Sequence, residues 1–186
     1  MSLELNIDQR AGLPDELCVL LREHPRDSWR ENMTPLAQFW IAKHDDFRDL
    51  CAQLTDAGDG YRQRPERLHE FAQIATTRMR FLVALLQGHH QVEDYHYFPA
   101  FRAADRRLGR GFDVLARDHE VLHETGLSAI GALEQLHAVL ADNAASDRQR
   151  SAADRYAAAI ELLCRRIVRH LDDEEDLVIP LMLTHR

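Results

Sequence analysis

Two segments of this chain pair a histidine with a glutamate and then a proline at identical spacing. Residues 89–99 read H-H-Q-V-E-D-Y-H-Y-F-P and residues 170–180 read H-L-D-D-E-E-D-L-V-I-P, so His89, Glu93 and Pro99 recur as His170, Glu174 and Pro180 at one offset of 81 residues. A histidine and a glutamate at i and i+4 of a helix share a face, one turn apart. Two such pairs facing each other place imidazoles and carboxylates where a helical protein would otherwise bury apolar side chains. That donor set suits iron, zinc and similar metals.

The remaining histidines extend the pattern. His44 lies in W-I-A-K-H-D-D-F, and His119 and His123 lie in L-A-R-D-H-E-V-L-H. His44 answers His119, while Arg48 stands where a counterpart of His123 would be. The resulting set is His44, His89, Glu93, His119, His123, His170 and Glu174. Two metals bridged by Glu93 and Glu174, with one bridging oxygen from water, leave five histidines that cannot divide equally. With His119, His123 and His170 on one metal and His44 and His89 on the other, the second metal keeps an open position for a small ligand. Glu175 is an alternative to Glu174, although the repeat offset favours Glu174. His96 returns to the face of His89 and is a candidate for the mouth of the site or its surroundings. His90 is rotated by about 100° from His89 and is expected outside the site. His24, His69, His137 and His185 have no ligand spacing and are expected to be exposed.

Four helices must position these residues. Thr34-Pro35 supplies an N-cap followed by proline at the first helical position, and apolar residues at helical spacing then predict helix A over 35–57, ending at Gly58-Asp59-Gly60. Similar periodicity predicts helix B over 66–98, helix C over 112–141 and helix D over 147–179. No useful stretch alternates with period two. The expected fold is all-α, an up-down-up-down antiparallel four-helix bundle over 34–186, joined by short connectors. Residues 1–33 form an N-terminal extension with one short helix over 15–24, stopped by Pro25, and Trp29 as its anchor.

Composition sets the remaining bounds. The 186 residues are 45% hydrophobic and 29% charged, which suits a single folded domain. A net charge of −8 argues against nucleic acid as a partner. Cys18, Cys51 and Cys164 are isolated, with no C-x-x-C spacing, and fit a reducing compartment. No signal-peptide pattern and no membrane-length apolar run occur, so a cytoplasmic, membrane-free protein is expected.

On His44, G-H-H-Q-V-E-D-Y-H-Y-F-P, R-D-H-E-V-L-H and H-L-D-D-E-E-D-L-V-I-P, the chain resembles the hemerythrin-like, or HHE cation-binding, family over roughly 34–182. The resemblance implies a non-haem di-iron centre inside the bundle, with the seven residues above as iron ligands and Glu93 and Glu174 as bridges. It also implies binding of O2 or NO, for sensing, storage or scavenging, with oxidase or peroxidase side activity compatible with an open iron position. Iron donation to damaged iron–sulfur clusters is the alternative, weakened because Cys18 is the one N-terminal cysteine. A metal-stabilised module that contacts a partner protein is a further alternative. Glu93–His96 and Glu120–His123 also fit the E-x-x-H pattern of ferritin-type sites, but helix A lacks the glutamate that such a site needs.

Overall fold

In a computed structural model the chain is described over residues 5–142 and 144–184; it is helical, with no strand among those residues. The helices are α1 (Arg26–Asn32), α2 (Pro35–Gln63), α3 (Leu68–Val92), α4 (Phe98–Ala104), α5 (Gly109–Ala141) and α6 (Ser146–Thr184). Short 3₁₀ turns precede α3 and α5. No helix among the described residues is long and apolar enough to cross a membrane.

The start of α2 follows from its first residues: Thr34 Oγ1 accepts the Ala37 N–H at 3.2 Å, and Pro35 fills a position whose N–H has no helical partner. Its end lies beyond the glycines that were expected to stop it. Each helical glycine costs about 1 kcal/mol relative to alanine. Burial of Tyr61, stacked on Phe71 at 5.1 Å and bonded to Asp154 at 3.2 Å, offsets that cost.

The prolines also act differently from expectation. Pro25 does not stop a helix: residues 15–24 form successive turns, and α1 starts after an extended Pro25 (φ −67°, ψ 155°). Pro99 sits in the first turn of α4, behind a single π-helical turn over Glu93–Tyr97. The Phe98 N–H donates to the Glu93 carbonyl, five residues back. Proline has no N–H for the carbonyl one α-turn earlier and its ring crowds that oxygen, so widening the preceding turn relieves both problems. Pro180 lies inside α6, which continues to Thr184 because Leu181, Met182 and Leu183 are buried.

Residues separate into two compact units, one of Met1–Asp46, Gly88–Glu120 and Arg166–Arg186, the other of Phe47–Gln87 and Val121–Arg165. The first packs Trp29, Trp40, Phe98, Phe112, Leu115 and Leu177 with Cys18 and Leu20 of the extension. Within it α5 and α6 meet closely at Gly111, where a Cβ would lie 2.7 Å from Leu177 Cδ1. The second unit buries Leu54, Met79, Leu82, Leu133, Tyr156 and Leu163.

Candidate metal centre

The first unit carries a continuous buried stripe on each of its long helices, and histidine or glutamate interrupts each stripe. On α6 the stripe runs Ile167, His170 or Leu171, Glu174 and then Leu177 or Val178, all buried. On α2 it runs Ala37, Trp40 and His44. On α5 it runs Phe112, Leu115 and His119. The end of α3 supplies His89 and His90 and the π turn after it supplies Glu93; His90 and Glu93 are buried and His89 is partly so.

These side chains form two groups whose donor atoms lie within 4.8 Å of one another: His44, His89, Glu93 and Glu174 in one, and His90, Glu93, His119 and His170 in the other. Glu93 belongs to both. Its Oε1 is 2.8 Å from His89 Nε2, and its Oε2 is 3.5 Å from His119 Nε2. Glu174 also faces both ways, with Oε1 3.6 Å from His44 Nε2 and Oε2 3.3 Å from His170 Nε2. The His119 and His170 Nε2 atoms are 3.2 Å apart.

Around this ring two Nδ1 atoms are hydrogen-bonded to carboxylates and a third lies near one. His44 Nδ1 meets Glu175 at 2.9 Å, His119 Nδ1 meets Asp94 at 2.9 Å, and His170 Nδ1 lies 3.5 Å from Asp118. The Trp40 indole donates to Glu174 Oε1 at 2.8 Å. Inside the ring, His44 Nε2, His90 Nε2, both oxygens of Glu93 and Glu174 Oε2 are buried without a well-formed hydrogen bond. Polar atoms buried in this way carry a cost of about 1–3 kcal/mol each. Convergence of several on one point is what a cation site requires. Carboxylate partners on Nδ1 are the usual means of presenting Nε2 to a metal. The residues present therefore fit cation binding by imidazole and carboxylate.

The electrostatics agree. Burial pushes Glu93 well above the ordinary carboxylate range, helped by the adjacent Glu174. Burial pushes Glu174 the same way, but His44 and His170 outweigh it and hold that carboxylate ionised. Burial lowers His170 as well, yet Asp118 and Glu174 raise it to about 9. Burial moves His89 down to about 4 and holds His90 well below the ordinary imidazole value. Without a cation the centre thus retains protons on some groups and repels them from others.

Two expectations are corrected here. His123 is exposed on α5 and belongs to neither group, and His90, expected outside, is buried and part of one. His90 stacks on His119 with ring centroids 3.8 Å apart. The reason is geometric. Glu93 is i+4 from His89 but i+3 from His90, so both imidazoles flank it. The stripe of α3 carried this signal, since Leu82, Leu86, His90 and Glu93 follow one another at intervals of four and three. The stripe of α5 carried the converse signal, since Leu122 occupies the buried place and His123 is turned away from it. His96 is exposed, as is Glu120, so the E-x-x-H scheme has no buried pair to build on. Glu175 lies behind His44 and bonds its Nδ1. His69 and His137 are exposed and His24 is half-buried; His185 lies outside the described residues.

The Hemerythrin HHE cation binding domain matches residues 36–182. The chain belongs to that family. No curated protein and no solved structure matches the chain.

Proposed function

We propose that this protein is a cytoplasmic, hemerythrin-like up-down-up-down four-helix bundle that holds two non-haem irons and binds O2 or NO. The observation that carries the reading is the unequal division of five imidazoles around two shared carboxylates. His90, His119 and His170 would hold one ion and His44 and His89 the other, with Glu93 and Glu174 common to both. Iron with the smaller share of protein ligands supplies an open coordination position for a diatomic molecule.

The chain's own residues pre-position the donors and pack aromatic rings beside them. Glu174 is held by the Trp40 indole, and His44 and His119 by carboxylates on their Nδ1 atoms, so these donors are pre-positioned. Trp40, Tyr97 and Phe98 pack beside them: Trp40 lies edge-on to Tyr97 at 4.9 Å, and Phe98 is stacked on His119 at 5.3 Å. These rings limit water at the donors. Iron delivery fits less well. Cys18 is buried, and burial with nearby carboxylates pushes its thiol up to about 12, away from the reactive thiolate. Three buried free thiols support the cytoplasmic setting.

Anaerobic loading with ferrous iron, elemental analysis and visible spectroscopy test the reading. About two irons per chain are expected from the two ligand groups, with a spectral change on adding O2 or NO. A maximum of one metal sinks the dinuclear arrangement. Two irons with no response to either gas sink the small-ligand role.

A further inference from the structure

Behind the ligand ring stands a second layer of charge, and two of its members come from the N-terminal extension. Asp118, which faces His170 Nδ1, is gripped by Arg10: Nη1 donates to Oδ1 at 3.1 Å and Nη2 donates to Oδ2. Arg10 Nε also donates to Asp173 at 2.7 Å, and its side chain is 1% exposed. Glu175, which bonds His44 Nδ1, is approached by Arg26 at 3.6 Å, and Arg26 is fixed by Asp176 at 2.7 Å and the Asp172 carbonyl at 2.8 Å. Both arginines precede residue 36, where the family match begins. The two chains of contact end on different ligand groups, Arg10–Asp118–His170 on one and Arg26–Glu175–His44 on the other.

A partner on Nδ1 orients a histidine so that Nε2 faces a cation, and that carboxylate is in turn oriented by its own hydrogen bonds. Guanidinium groups suit that task because they stay charged and form a rigid fork. The extension is anchored by further contacts that do not reach a ligand-bonding carboxylate: the Leu13 N–H donates to Asp173 at 3.1 Å and Arg166 binds Asp8 at 2.6 Å.

We propose that the N-terminal extension is the clamp of the metal centre, with Arg10 positioning His170 through Asp118 and Arg26 positioning His44 through Glu175. The clamp rests on the dinuclear reading above. It makes the two arginines positioning residues, each serving one ion. Because coupling is reciprocal, bound metal holds the extension in place as the extension holds the metal.

Zinc is the probe, titrated into the metal-free full-length protein against a chromophoric chelator to give stepwise affinities. Arg26→Gln should weaken one ion by about 10- to 100-fold, as loss of an outer partner does, and Arg26→Lys, which keeps the charge without the fork, should recover part of it. Arg10→Gln should weaken the other ion. Arg166→Gln cuts a tether of the extension without touching either relay and should leave both affinities unchanged. In His170→Ala, Arg26→Gln should still weaken the remaining ion; in His44→Ala it should have no effect. Arg10→Gln should behave in the opposite way. If Arg10→Gln does not fold, the half-exposed Arg26 decides the matter alone. Proteolysis within residues 5–33 should slow when zinc is bound. Losses no larger than for Arg166→Gln, or equal losses at both ions, overturn the clamp and leave the extension a simple cover. Failure of the wild-type protein to bind zinc or iron overturns the metal reading itself.

Discussion

Residues 47–87 and 121–165 bury Phe47, Leu54, Met79, Leu82, Leu133 and Tyr156, with Thr125 as the one buried polar or charged side chain among the described residues of that unit. The other unit buries Arg10, His44, His90, Glu93, Asp118, His119, His170, Asp173, Glu174 and Glu175. The same four long helices, α2, α3, α5 and α6, contribute residues to both. Their periodicity does not change between the units; only the chemistry of the inward stripe does. Where the stripe is apolar, burial itself supplies the stabilisation, at roughly 25 cal/mol per Å². Where it is histidine and carboxylate, burial opposes folding until a cation or a proton compensates. One unit therefore needs only its own side chains, and the other needs a cation or protons to offset its buried donors.

That contrast can be broken most directly at Glu93, the donor common to both ligand groups. Glu93→Ala should abolish binding of both metals, with elemental analysis as the measurement. Retention of two metals would show that Glu174 suffices as the common donor. Next comes the choice between neighbours on two helices. His90→Ala should lower metal affinity by at least the roughly 10- to 100-fold typical of losing an outer partner, whereas His123→Ala should leave it unchanged because His123 is exposed. The opposite ranking in a chelator competition would place α3 and α5 in the wrong rotation.

A change confined to the apolar unit should act on stability alone. Leu133→Ala at a fully buried position should cost about 2–5 kcal/mol, read from denaturant unfolding of the metal-loaded protein. Its metal content should remain at the wild-type value. The smallest effect is protonic. Between the ordinary imidazole value of 6.5 and about 9, His170 keeps a proton in the metal-free protein but would lose it in the unfolded chain. Its contribution to metal-free stability is thus complete below 6.5 and lost as pH rises through about 9. Metal must displace that proton. Calorimetric zinc titrations within that window, in buffers of different ionisation enthalpy, should therefore report net proton release. No buffer dependence would mean that His170 is already deprotonated.

Much of this was legible in the residues. The 3.6-residue stripes required helices, because an apolar face of that period can be buried in no other regular structure. The repeated His-x-x-x-Glu placed His89, Glu93, His170 and Glu174 together on chemical grounds, and the matching contexts added His44 and His119. Local signals misled where long-range packing outweighed them: the Gly58–Gly60 stretch stays helical because Tyr61 is buried, and α6 passes Pro180 because Leu181 to Leu183 are.

Rotation about each helix axis was decided by the tertiary structure. A turn of about 100° separates adjacent residues, so whether His89, His90 or both face inward depends on how α3 packs and on the π turn at Glu93–Tyr97. The same holds for His119 against His123 on α5. Nor could spacing join Arg10 to Asp118, which is 108 residues away, or Arg26 to Glu175. Helical periodicity fixes which residues share a face of one helix, because it depends on the backbone of that helix alone. Which charged groups meet across helices depends on how those faces dock, and that is set by side-chain packing between segments distant in the chain.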